Sequence, residues 1–155
     1  MSDPTRELRA EILIDAPVER VWQVVTDTKA LSAASPELIA MTPLKHGGFR
    51  AGQQYIGWNR RKLVPWTTRN VVVDFQPHRR LEWRTTTSGA HWVFELSPEG
   101  DGTHLVQRRP IPGRPTAVGK VFAAALLGGG KSHADELQDA LSTTLAKLKE
   151  LAEQG

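Results

Sequence analysis

Cysteine is absent from the 155 residues. That removes disulfides, zinc–thiolate sites and cysteine nucleophiles together, and it fits a reducing compartment. Long apolar runs are missing as well. The longest, Val121 to Leu127, falls far short of the roughly 20 residues a membrane helix needs. The opening Met-Ser-Asp-Pro-Thr-Arg-Glu is polar, with no apolar stretch behind it, so the chain reads as cytoplasmic, without a secretory signal or membrane insertion.

Paired metal-ligand spacing is lacking among the five histidines. His46, His78 and His104 fall in or beside turns, and His91 alternates outward, so no metal site is expected. His133 opens the last helix, and there a solvated histidine is a stronger reading than an acid or base at a pocket mouth; Asp135 carries the same ambiguity. No Gly-x-Ser-x-Gly elbow occurs and no pair of acids has evident general acid/base geometry, so no catalytic residue can be named. Gly128-Gly129-Gly130-Lys131-Ser132 resembles the end of a phosphate loop, but the glycine required five residues earlier is Ala125 and the preceding run is helical. A hinge or helix break accounts for it better, and no cofactor is expected. The net charge is +3 and the isoelectric point is near 9.5. The cations are spread out, apart from Arg60-Arg61-Lys62, Arg79-Arg80 and Arg108-Arg109. A nucleic-acid footprint is usually denser, so these read as solvated hairpin ends and no nucleic-acid partner is expected.

What is present is ordered patterning over a length suited to one domain, residues 1–155. Leu8, Ala10, Ile12 and Ile14 alternate with charged residues and predict a first strand. Pro17 opens an amphipathic helix on Val18, Val21, Trp22 and Val25 that runs to about Asp27, and residues 30–35 add a further turn. From Leu38 the period becomes two, with strands expected at 38–44, 53–61, 64–75, 80–86, 91–97 and 103–109. Turn residues separate them, and the pair Arg61-Lys62 is the weakest such signal. Connections this short imply an antiparallel meander. A last helix spans about 133–152, with Leu137, Leu141, Thr144, Leu148 and Leu151 as its stripe and Ala140, Leu145 and Ala152 flanking. The expected class is α+β: a wide antiparallel sheet whose apolar face is covered by that helix, leaving a cavity between them.

The run Ile14-Asp15-Ala16-Pro17-Val18-Glu19-Arg20-Val21-Trp22, followed by Asp27, resembles the opening signature of the polyketide cyclase/dehydrase group. Further matches follow in order: Ser35-Pro36-Glu37, Tyr55-x-Gly57-x-Asn59, Trp66, Pro77, Trp92, Gly102-Thr103 and Thr144-Leu145-x-x-Leu148. That group belongs to the START-like helix-grip superfamily, often called SRPBCC. The resemblance implies a seven-stranded curved sheet wrapped round the C-terminal helix. It also implies either binding of a lipid- or polyketide-like molecule or a cyclase/dehydratase reaction in the same cavity. Turnover, ligand identity and oligomeric state stay open.

Strand alternation sorts the inner face. Tyr55, Gly57 and Asn59 lie on one strand; Trp66, Thr68, Asn70 and Val72 on the next; then Leu81, Trp83 and Thr85; then Trp92, Phe94 and Leu96; and finally Thr103, Leu105, Gln107 and Arg109. The expected ligand-binding set is Tyr55, Asn59, Trp66, Thr68, Asn70, Trp83, Trp92, Phe94, Gln107, Arg109, Phe122, Leu126, Leu137 and Leu141. Plain core filling is the competing account for the aliphatic members. The amides Asn59, Asn70 and Gln107 argue for a contact with water or ligand, because an unpartnered buried amide costs about 1–3 kcal/mol. Residues 118–127, between the Pro110–Pro115 segment and the three glycines, read equally as a lid or as a fixed edge helix.

Overall fold

The computed structural model describes residues 8–35, 38–45, 48–86, 89–110 and 130–154, with side chains in the last helix from Gln138 onward. Seven strands form one antiparallel sheet: β1 (Leu8–Ile14), β2 (Leu38–Pro43), β3 (Gln54–Arg61), β4 (Val64–Gln76), β5 (Arg80–Thr85), β6 (His91–Glu99) and β7 (Gly102–Arg109). Their order is β1-β7-β6-β5-β4-β3-β2, so β1 and β2 are the edges. The sheet is curved, and register shifts at Leu38/Ala40 and Val72/Asp74 supply local bends. Among the described residues there are also three helices: α1 (Val18–Val25), α2 (Thr28–Ala34) and α3 (Gly130–Gln154).

The first helix and the further turn expected after it are α1 and α2. Thr26 Oγ1 and its N–H both donate to Trp22 O, at 2.7 and 3.1 Å, and so end α1. Asp27 then caps α2 by accepting from Lys29 N at 2.9 Å. The last helix starts at Gly130, earlier than the expected 133, so this glycine belongs to the helix and not to a break before it. Strand β6 runs past the expected 97 because Pro98 pairs with Thr103 close to the hairpin end, where a missing N–H is tolerated.

α3 runs alongside β1 in the same direction and satisfies backbone groups of that edge. Gln138 Nε2 donates to Arg9 O at 2.8 Å and Lys149 Nζ donates to Leu13 O at 3.1 Å. Covering an edge strand in this way removes a template for aggregation. The buried stripe of α3 is Leu141, Thr144, Leu145, Leu148 and Ala152, while Leu151 is only half-buried. The stripe is therefore turned slightly from the expected one. Leu145, Leu148 and Ala152 join Tyr55, Leu81, Phe94, Leu96 and Leu105 in one core between helix and concave face.

The convex face carries ion pairs. Arg80 meets Asp74 at 2.6 Å and Glu82 at 2.8 Å, and Arg108 meets Glu95 at 2.9 Å. His91 lies 2.5 Å from Glu82 on this outer side, as its alternation implied.

Candidate functional site

The two ends of the concave face differ. At one end α1 sits against the β4–β5 turn, with the Trp22 ring 5.4 Å from Phe75 and 6.2 Å from His78. Thr103 Oγ1 donates to Ala16 O at 2.8 Å, in the buried layer below. Antiparallel register puts Asn59, Trp66, Thr85, Trp92, Arg109 and Leu8 at the other end. Residues opposed across antiparallel strands share a face, so the pairings define rows. Tyr55, Asn70 and Thr85 make one row; Val72, Trp83 and Trp92 the next; Leu81, Phe94, Gln107 and Ala10 the third.

The walls are aromatic. Phe49 lies 4.9 Å from Tyr55 and 6.3 Å from Trp83, whose ring is in turn 5.9 Å from Phe94. Burial pushes the Tyr55 phenol up from its ordinary value, with Arg50 partly offsetting this, so the group stays a protonated donor at neutral pH. Leu141 packs with Leu8, Ala10 and Trp92 at the end away from α1. The Arg109 guanidinium lies over the Trp92 ring, 5.1 Å from its centroid, a cation–π arrangement.

A polar chain crosses this face. Thr85 Oγ1 donates to Asn70 Oδ1 at 2.7 Å, and Asn70 Nδ2 donates to Thr68 Oγ1 at 3.2 Å. Asn59 Nδ2 reaches the same hydroxyl at 3.4 Å. Thr68 accepts from both amides, so its own hydrogen remains to be given. Gly57 makes the chain possible: a Cβ there would stand 2.5 Å from Thr68 Oγ1 and 3.2 Å from Asn70 Nδ2. Gln107 lies apart from the chain. It is only 5% exposed, and its Oε1 is buried with no hydrogen-bond donor among the described residues.

The expected set thus falls into three groups. Tyr55, Asn59, Thr68, Asn70, Trp83, Trp92, Phe94, Gln107 and Arg109 share the concave face, with Trp66 half-buried opposite Asn59 at its rim. Leu141 is on α3 facing them. Phe122 and Leu126, the whole 118–127 segment and the Leu137 side chain lie outside the described residues. Sequence reasoning missed Phe49, which is 8% exposed. A lone aromatic between Gly48 and Gly52 was the available signal. Among the described residues no three histidine or acidic side chains converge on a common point, and none of the concave strand positions carries a carboxylate or histidine. The described side chains therefore offer apolar contact, amides, hydroxyls, a phenol and one guanidinium.

Residues 5–153 match the family model described as polyketide cyclase / dehydrase and lipid transport. No curated protein matches the chain. Solved structures resemble it in fold. Protein NE0264 from Nitrosomonas europaea is 18% identical with a TM-score of 0.69, over 98% of this chain and 97% of that one. TTHA0849 from Thermus thermophilus is 20% identical with a TM-score of 0.67, over 96% and 98%. DynU16, from the dynemicin biosynthetic locus, is 18% identical with a TM-score of 0.61, over 95% of this chain and 47% of that one. No helix among the described residues is long and apolar enough to cross a membrane.

Proposed function

Since this chain belongs to the polyketide cyclase/dehydrase and lipid transport family, we propose that it binds one small, largely apolar molecule, lipid- or polyketide-like, between the concave face and α3. Gln107 carries the reading. A buried carbonyl oxygen without a donor costs about 1–3 kcal/mol, and a hydroxyl or N–H on a bound molecule removes that cost. The rings of Phe49, Tyr55, Trp83 and Phe94 supply an apolar enclosure for the body of the ligand. The Asn59–Thr68–Asn70–Thr85 chain orients its polar atoms. Arg109, which lies over Trp92, would meet a carboxylate or carbonyl at the end away from α1. Phe122, Leu126, Leu137 and Leu141 complete the proposed set.

The second reading is a cyclase or dehydratase reaction in the same cavity, favoured by the family description and by the Tyr55 phenol, held protonated beside the amide chain. Such an enzyme would act by shaping a reactive chain and polarising its carbonyls. The binding reading comes first because no carboxylate or histidine occupies the described concave positions.

Native mass spectrometry of protein purified from its own host tests both. A co-purified molecule of constant mass supports binding, and one that loses water on incubation supports the enzyme. Gln107→Leu should weaken that molecule's affinity by about tenfold while leaving the ligand-free protein no less stable. Unchanged affinity would remove Gln107 from the site.

A further inference from the structure

The β3–β4 hairpin reaches farther than the sheet beside it. These strands stay paired out to Arg61 opposite Val64, whereas β5 ends its pairing at Thr85 opposite Asn70 and β2 at Leu38 opposite Asn59. Among the described strands, residues 60–65 therefore pair only with each other. At about 3.4 Å per residue, β4 carries the tip roughly 20 Å past the Asn70–Thr85 row. This is the end of the sheet opposite α1, where the concave face carries Asn59 and Trp66.

At the tip the usual burial of apolar side chains is reversed. Leu63 is 93% exposed and Val64 beside it is 39% exposed. Lys62 holds the two-residue turn with φ of 57°, a conformation that ordinarily falls to glycine. Charge is segregated around it. Between Glu37 and Asp74 the chain contains no acid, yet it carries six cations: Lys45, Arg50, Arg60, Arg61, Lys62 and Arg69. The whole protein has a net charge of only +3, so half of the sheet is far more cationic than the molecule as a whole.

We propose that this tip docks the protein reversibly on an anionic lipid surface. Leu63 and Val64 enter the boundary between headgroups and acyl chains, and Arg60 and Lys62 lie against lipid phosphates. An apolar side chain and neighbouring cations each contribute modestly, which gives a reversible contact and not an anchor. An exposed aliphatic side chain distinguishes this surface from a single-strand nucleic-acid site, which stacks bases on aromatic rings. The exposed ring on this hairpin, Trp58, sits below the turn, with its indole N–H donated to Thr42 Oγ1 at 3.0 Å. Docking in this orientation faces the end of the concave surface away from α1 toward the lipid. It goes beyond the ligand-binding reading and does not depend on which molecule is bound.

Co-sedimentation of the full chain with vesicles tests it. The protein should bind phosphatidylcholine/phosphatidylglycerol vesicles but not phosphatidylcholine alone, and added salt should weaken the binding. Leu63→Asp should lower the partition coefficient about tenfold or more with an unchanged melting temperature, and Leu63→Phe should retain it. The double variant Arg60→Glu/Lys62→Glu should abolish binding. Absence of wild-type binding to the anionic vesicles overturns the proposal. So does full retention by Leu63→Asp, or tighter binding to a single-stranded oligonucleotide that Leu63→Asp leaves unchanged.

Discussion

One end of the concave face packs against α1 and the other is lined by amides and hydroxyls, and the two use the same strands to opposite effect. At the α1 end, polar groups meet partners: Thr103 donates to Ala16 O and Glu153 accepts from Asp15 N at 2.7 Å. Arg20 donates to the carbonyls of Leu151 and Ala152 at 3.0 and 3.3 Å, near the C-terminus of α3. Toward the other end, a chain of amides and hydroxyls partly satisfies itself, and two rows away Gln107 Oε1 is buried with no donor among the described residues. Saturated hydrogen bonding rigidifies a core, whereas an unspent buried acceptor is the mark of a place that something else completes.

The largest effect should come from the core that joins the two ends. Leu148 is fully buried against both sheet and helices, and Leu148→Ala should cost about 2–5 kcal/mol in urea unfolding. A loss under about 1 kcal/mol would mean that α3 does not grip the sheet as described.

Two glycines sharpen the contrast. At the α1 end a Cβ on Gly102 would stand 2.6 Å from the backbone oxygen of Ile14, and at the far end a Cβ on Gly57 meets the Thr68 hydroxyl at 2.5 Å. Backbone cannot step aside but a side chain can be removed. Each glycine-to-alanine change should destabilise by roughly 1–3 kcal/mol. Adding Thr68→Ala should recover most of the loss at Gly57 and none of it at Gly102, as thermal unfolding of the four variants would record. Equal behaviour at both positions would erase the distinction between the ends.

The smallest effect is electrostatic. The Lys149 ammonium beside Glu153, with the Asp15 N–H, holds that carboxyl below its ordinary range. A depressed folded-state pKa contributes stability above the unfolded value, and that stability is lost as pH falls through the folded one. Glu153→Gln should therefore flatten the acid limb of the stability–pH curve slightly and leave its neutral plateau little changed, because the pair is exposed. Unfolding in urea across the acid range measures it, and an acid limb as steep as the wild type's would remove this contact from the α1 end.

Much of this architecture was legible in the residues. Period-two alternation identified all seven strands within one or two residues of their ends, because a half-buried strand must alternate. Arg61-Lys62 was the poorest turn signal and yet marks the turn, since Lys62 adopts a positive φ with no glycine to announce it. The pattern separated a helix running to about Asp27 from a further turn at 30–35, and α1 and α2 stand there, α2 beginning two residues early because Asp27 caps it. Phe49 was missed because it belongs to no periodic element. The turned stripe of α3, with Leu145 and Ala152 inside and Leu151 half out, reflects the angle at which the helix meets β1, and a helical wheel does not contain that angle.

The sequence by itself determined which strand side chains lie on the concave face, because strand alternation is local and obliges successive residues to opposite faces. It determined the inner complement of rings, amides and hydroxyls for the same reason. Only the tertiary structure decided how those polar groups divide. Register placed Asn70 opposite Thr85 and Gly57 opposite Thr68, so that one amide spends its hydrogen bonds on its neighbours. The same sheet set Gln107 between Phe94 and Ala10, whose side chains have no hydrogen to give.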